Sequence, residues 1–117
     1  MAGTIEILYN LVKVEGIRAA VLVGRDGFVI GGAGNPGTDL DSIGAVISTG
    51  FGSSETMGRE LDIGNMDQVM AEFDKGVLVI TAIGKEDILV TVTAKNAVLG
   101  NIRYQVKKYA PEIECSF

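Results

Sequence analysis

Hydrophobic positions recur at helical spacing in three stretches of this chain, and at strand spacing or without interruption in five others. Ile5, Leu8, Tyr9 and Val12 stand at i, i+3, i+4 and i+7, one face of a helix. Thr4 is placed to cap it and Gly16 to stop it, which predicts a first helix over about 4–14. Residues 17–23 alternate around Ala19, Val21 and Val23 and then meet Arg25-Asp26-Gly27. An Asp-Gly pair between apolar runs signals a tight hairpin, so 28–31 is the returning strand. Residues 32–37 are rich in turn formers and read as a loop. Thr38-Asp39-Leu40-Asp41 then resembles a capping box, with acids where the helix dipole favours them. The helix it opens runs to about Leu61, with Gly64 at its C-terminal turn. Residues 66–73 alternate, with Val69, Ala71 and Phe73 on one side and Gln68, Met70 and Glu72 on the other. Residues 77–83 and 88–92 are almost continuously apolar, as strands buried on both faces are. Asn96 is a candidate cap for a last helix bearing the stripe Val98, Leu99, Ile102, Val106 and Tyr109. Pro111 is expected to close that helix and leave 111–117 as a short tail.

The order is therefore helix, strand, strand, long helix, three strands, helix. Tight turns join most consecutive strands, which makes the sheet antiparallel. The doubly apolar strands require helices on both faces, giving an α/β three-layer sandwich. The polar residues of 66–73 mark that strand as an edge, a pairing hazard unless something covers it. No repeat, linker or low-complexity tract divides the chain, so residues 1–117 are expected to form a single domain.

Composition narrows the function. The chain carries 10 basic and 15 acidic residues, a net charge of −5. Its basic residues are scattered, which argues against a nucleic-acid or anionic-membrane surface. No apolar run approaches the roughly 20 residues of a membrane helix. The start, with Glu6 and no base ahead of its short apolar stretch, is unlike a signal peptide, so a cytoplasmic protein is expected. Cys115 is the single cysteine, which leaves no internal disulfide. There is no histidine, and that removes the commonest general base and metal ligand. The carboxylates lie in turns and at helix ends, where capping and solubility account for them. Neither an enzyme nor a metal or cofactor site is expected.

One motif points elsewhere. Gly32-Ala33-Gly34-Asn35-Pro36-Gly37 spells G-x-G-x-x-G between a strand and a helix. A dinucleotide site also needs a parallel βαβ unit and an acid about 20 residues on, at the end of the next strand. Here the preceding strand belongs to a hairpin, and that position falls inside the long helix. A surface loop is the simpler reading, with a small-ligand sensor as the outlying one.

The long helix is the informative segment. Leu40, Ile43, Ile47, Phe51, Ser54, Met57 and Leu61 make one largely apolar face. Gly44, Gly50, Gly52 and Gly58 each cost up to about 1 kcal/mol against alanine in a helix interior, so something should offset them. Gly50, Ser54 and Gly58 recur every four residues. Small residues at that spacing let a second backbone approach, either the helix's own sheet or a partner copy of the helix. Gly44, Ser48, Gly52, Glu55 and Arg59 form a low-relief strip assigned to the opposite side. That strip suits either solvent or another protein.

These segments together resemble the roadblock / dynein light chain superfamily over about 4–110. The residues that carry the resemblance are GIRAAVLVGRDGFVI with its hairpin, DLDSIGAVISTGFGSSETMGREL, NMDQVMAEFDKGVLVITAIG, and ILVTVTAKNAVLGNIRYQVKK. The resemblance implies a five-stranded antiparallel sheet with the first and last helices on one face and the long helix on the other. It also implies a homodimer whose long helices lie side by side and whose third strands join two sheets. Members act as adaptors, and stand-alone prokaryotic relatives work with Ras-like small GTPases, some promoting GTP hydrolysis. Carried onto this chain, Gly50, Phe51, Ser54, Met57, Gly58 and Met70 fall at the dimer interface. Ser48, Gly52, Glu55 and Arg59 fall on the partner-binding surface. The chain departs from the family in its glycine-rich helix and its Asn35-Pro36 loop. The expectation is a non-catalytic homodimeric regulator of a Ras-like small GTPase, with a nucleotide-blind scaffold module as the alternative.

Overall fold

The computed structural model describes residues 2–35 and 39–116. Its elements run α1 Ala2–Val12, β1 Ile17–Gly24, β2 Val29–Gly34, α2 Leu40–Glu60, β3 Gln68–Phe73, β4 Gly76–Ile83, β5 Asp87–Ala94 and α3 Leu99–Cys115. The expected order of elements holds throughout. The strands form one antiparallel sheet in the order β2-β1-β5-β4-β3, so β2 and β3 are its edges.

Strand alternation sends side chains into two separate cores. Ala20, Leu22, Val77, Val79 and Leu89 point to one face and pack with Leu8 and Leu11 of α1 and Ile102, Val106 and Ile113 of α3. Val21, Val23, Ile80, Ile88 and Val90 point to the other and meet Ile47 and Phe51 of α2. Burying a side chain of this size contributes roughly 1.5–3 kcal/mol. Neither face of β1 or β5 could be left to water without forfeiting several such terms. The three-layer arrangement follows.

Several boundaries differ from the sequence reading, each for a reason beyond the local residues. Thr4 does not cap α1; it is fully buried within that helix, and its hydroxyl is hydrogen-bonded to that of Ser116. Pro111 does not end α3, which continues through it to Cys115. A proline there leaves the Lys107 carbonyl without its helical donor, but Lys107 is exposed and water can serve it. Past the proline, Ile113 is fully buried and Ser116 reaches Thr4, so the expected tail is pulled in as helix. Asn96 does not cap α3 either; Val98 holds that position without a side-chain bond and is itself exposed.

The expected loop at 32–37 is corrected in its first half. Gly32, Ala33 and Gly34 lie in β2, paired with Val21, Ala20 and Ala19. Gly34 has φ +82°, and a Cβ there would sit 2.3 Å from the Arg18 carbonyl oxygen. Gly34 is thus explained by its close approach to β1 and not by a phosphate cradle. Pro36, Gly37 and Thr38 lie outside the described residues.

The core holds a polar side chain whose hydroxyl has no partner. Thr93 Oγ1 donates to the Val77 carbonyl at 2.9 Å, whereas Thr91 Oγ1 is fully buried with no hydrogen-bond partner. An unpaired buried hydroxyl costs roughly 1–3 kcal/mol. Thr91→Val keeps the shape and removes the hydroxyl. It is expected to raise the free energy of urea unfolding by about 1 kcal/mol; a loss of stability would contradict this reading of the core.

Candidate functional site

The candidate site is α2 and its two flanks. At the N-terminus Asp39 takes an extended conformation and its carboxylate accepts the Asp41 N–H at 3.1 Å, a side-chain cap reinforced by Asp41 in the first turn. At the C-terminus the Asp62 N–H reaches the Arg59 carbonyl at 3.1 Å, and the Ile63 N–H reaches the Gly58 carbonyl at 3.0 Å. That pair of bonds is a Schellman closure. Its left-handed position is taken by Asp62 at φ 57° and not by a glycine; Gly64, at φ 95°, follows two residues later.

The buried face of α2 is rotated from the expected one. Leu40, Ile43, Gly44, Ile47 and Phe51 face the sheet, but Met57 and Leu61 are 59% and 70% exposed. Phe51, expected at a dimer seam, is only 1% exposed and belongs to the chain's own core. Gly44, expected on the outer strip, is buried against the β1–β2 turn, where a Cβ would lie 2.4 Å from the Gly27 carbonyl oxygen.

The four helix glycines now separate into two kinds. Gly44 is required by the turn beneath it. Gly58 is close to the turn beyond the helix, where a Cβ would meet the Gly64 carbonyl oxygen at 3.1 Å. Gly50 and Gly52 have nothing within 4 Å of an added Cβ. Packing within the chain gives no reason for either, so their helix-propensity cost is not offset inside the monomer.

Along the flank towards the β1–β2 hairpin run Ser48, Gly52, Glu55 and Arg59. Glu55 is not a free surface charge. Its Oε1 lies 2.5 Å from Arg25 Nη1, and its side chain is only 17% exposed. The Arg25 guanidinium also stacks over the Phe51 ring, 5.2 Å from its centroid. The backbone N–H of Arg25 donates to the Glu86 carbonyl at 2.9 Å, and its Nε is buried without a partner. Close by, burial pushes the Asp87 carboxyl above its usual range; Glu86 and Asp26 add to the rise and Arg25 opposes it. Arg59 is exposed and bonds only to Thr56 Oγ1, at 3.2 Å, among the described residues.

The hydroxyls of α2 turn back on their own helix. Ser48 and Thr49 donate to the Ala45 carbonyl at 3.1 and 2.9 Å, Ser54 to Gly50 at 3.0 Å and Thr56 to Gly52 at 3.1 Å.

The flank towards β3 and β4 is apolar and open. Gly50, half-buried Ser54 and exposed Met57 lie on it, as does Val46, 66% exposed. Ile63, just past the helix, is 76% exposed, and Phe73 at the end of β3 is 55% exposed. A groove of about 580 Å³ runs between Met57, Leu61 and Ile63 on one side and Met66, Gln68 and Val69 on the other. Met70, expected with this group, points to the opposite sheet face and packs against the α1–α3 core. It can share a contact with α2 residues only across the β3 edge. Sequence reasoning missed Val46, Ile63 and Arg25. The first two were detectable as apolar residues off the helical stripe; Arg25 carried no local signal, because Glu55 is 30 residues away.

Among the described residues no cluster of potential metal ligands is present, and no helix is long and apolar enough to cross a membrane. Comparison with known proteins agrees with the architecture. The Roadblock/LC7 domain family model matches residues 4–93. An uncharacterized protein of Methanocaldococcus jannaschii is 35% identical over 111 residues, covering 95% of this chain and 96% of its own. Myxococcus xanthus MglB has a similar structure, with TM-score 0.91, 21% identity, and coverage of 97% of this chain and 94% of that one. A Roadblock/LC7 domain from Streptomyces avermitilis gives TM-score 0.88 at 21% identity, covering 96% and 95%. At such identity the two structures speak for the fold alone.

The glycines give opposite expectations for one substitution. Gly50→Ala and Gly52→Ala should each stabilise the isolated chain by up to about 1 kcal/mol, since only helix propensity changes. Gly44→Ala should destabilise it by about 1–3 kcal/mol through the clash with the Gly27 carbonyl. Chemical denaturation of the three variants, at concentrations low enough to avoid self-association, decides; equal effects would refute the division.

Proposed function

Since this chain belongs to the Roadblock/LC7 domain family, we propose that it is a non-catalytic, homodimeric adaptor that binds a Ras-like small GTPase and shifts its nucleotide cycle. The observation that carries the reading is the pair of glycines, Gly50 and Gly52, for which the chain's own packing has no use. Gly50 belongs to the apolar flank and Gly52 to the polar one, so two separate contacts are supported, one on each side of α2.

The apolar flank serves the second copy. Gly50, Ser54, Met57 and Gly58 offer low relief beside exposed Val46, and the free β3 edge offers unpaired backbone groups next to it. A two-fold axis beside β3 brings both features together with one self-complementary patch. Met70 takes part only through the β3 edge, and Phe51 has no part in the seam.

The polar flank serves the GTPase. Ser48 and Gly52 provide a surface without long side chains, Glu55 enters as an ion pair with Arg25, and Arg59 brings a cation. The protein contributes no residue to hydrolysis. It acts by binding one switch conformation of the GTPase better than the other, and it can shift that equilibrium only by the difference in affinity. A cytoplasmic location fits such a partner.

Two measurements test this. The full chain is titrated with each purified Ras-like GTPase of the same genome, loaded with GDP or a GTP analogue. A preference of at least about tenfold for one state, abolished by Ser48→Arg or Gly52→Arg, is expected. Equal affinity in both states would leave a nucleotide-blind scaffold, and no binding would remove the GTPase altogether. Separately, Ser54→Trp is expected to halve the mass found by light scattering, because a bulky ring cannot enter a seam of small residues; an unchanged dimer mass would rule out that seam.

A further inference from the structure

Helix α2 is fastened to its sheet from one side. Gly44 lies against the Gly27 carbonyl, Phe51 sits beneath the Arg25 guanidinium at 5.2 Å, and Glu55 is ion-paired to Arg25 at 2.5 Å. All three contacts close on the β1–β2 hairpin, and the helix backbone comes nearest the sheet at β1 and β2, although its side chains Ile47 and Phe51 also pack with β4 and β5. Arg25 is itself anchored through its backbone bond to Glu86 in the β4–β5 turn. No equivalent fastening exists on the other flank among the described residues. There a small apolar groove of about 140 Å³ separates Ile43 and Ile47 from Leu78 and Val92, and those two strand residues are only half-buried.

That arrangement leaves room for a second position of the helix. Half-exposed Leu78 and Val92 would be better covered if α2 moved across the sheet towards them, since burial of apolar surface is favourable. Such a move would shift Gly50, Ser54 and Met57 relative to the β3 edge, the two features that the proposed dimer combines. Arg25 opposes it with two interactions of different kind. One is a charge-assisted hydrogen bond to a half-buried carboxylate. The other is a cation over an aromatic face. Both fall on one turn of α2, at Phe51 and Glu55, between Gly50 and Gly58.

We infer that Arg25 is a positioning residue for self-association: it clamps α2 over β1 and β2 and so fixes the Gly50–Gly58 flank relative to the β3 edge, the two features that together meet the second copy. The inference rests on the homodimer reading above. It adds that the pose of the helix is set from the flank remote from the seam, by a side chain that touches no second copy. Arginine suits this role better than lysine because its planar group can engage the carboxylate while its charge lies over the ring. A lysine retains the charge but gives up the stacking.

The experiment compares the full chain with Arg25→Gln, Arg25→Lys and Glu55→Gln. Sedimentation equilibrium gives the dimer dissociation constant, and circular dichroism with thermal melting shows that each variant is folded at the working temperature. Arg25→Gln is expected to remain folded and to weaken the dimer by at least about tenfold. Arg25→Lys should recover part of that loss, because the charge survives but the contact with the ring does not. Glu55→Gln should weaken the dimer in the same direction, and adding it to Arg25→Gln should cost nothing more, as expected for partners in one interaction. Glu55→Gln also keeps the test alive if Arg25→Gln does not fold. A lower melting temperature with an unchanged dissociation constant in the folded variants would make Arg25 a mere brace and overturn the inference. A wild-type chain that stays monomeric at every concentration would instead overturn the dimer reading itself, and the inference with it.

Discussion

The fold depends on strands β1, β4 and β5 being apolar on both faces. No single layer can cover them, so the sheet must lie between helices. On one side two helices share the work, with Leu8 and Leu11 from α1 and Ile102, Val106 and Ile113 from α3. On the other a single helix, α2, is assigned a sheet face wider than one helix can cover. It fastens to the β1–β2 side and leaves the β3–β4 side partly bare. The asymmetry of cover between the two faces, more than any individual residue, leaves one flank of α2 beside bare apolar surface, and the proposed dimer would use that flank.

The glycines of α2 show how one residue type answers different physical demands. Gly44 exists because a turn carbonyl occupies the place of its side chain, and Gly58 lies close to the chain as it leaves the helix. Gly50 and Gly52 answer to nothing in the monomer. A helix that carries such residues through its middle sacrifices propensity for surface shape, and in the proposed function that shape serves a second molecule.

Much of this was legible in the residues, and the failures have a common cause. The Asp26-Gly27 hairpin, the alternation of β3 and the continuous apolar runs of β4 and β5 are local signals, and the structure follows them. The cap at Thr4, the stop at Pro111 and the cap at Asn96 were also local rules, but contacts distant in sequence overrode the first two. Thr4 is buried against Ser116, and Ile113 draws the end of α3 into the core past its proline. The phase of α2 was misjudged by part of a turn, because the apolar stripe through Met57 and Leu61 continues onto a flank that the chain itself does not cover. Apolar periodicity reports that a face will be dry, but not whether the chain or a partner will dry it. Glu55 is expected on the partner-binding strip, and its ion pair is not foreseen because Arg25 lies in a different element.

The inward-turned hydroxyls of α2 bear on the energetics of contact. Ser48, Thr49, Ser54 and Thr56 each spend their donor on a carbonyl of their own helix. What they show to the outside is mostly methyl, methylene and residual lone pairs. Water bound to such groups is held loosely and is released at little cost when another surface arrives. With four donors already engaged, any surface that docks on this helix would need to supply fewer matching acceptors than its composition suggests.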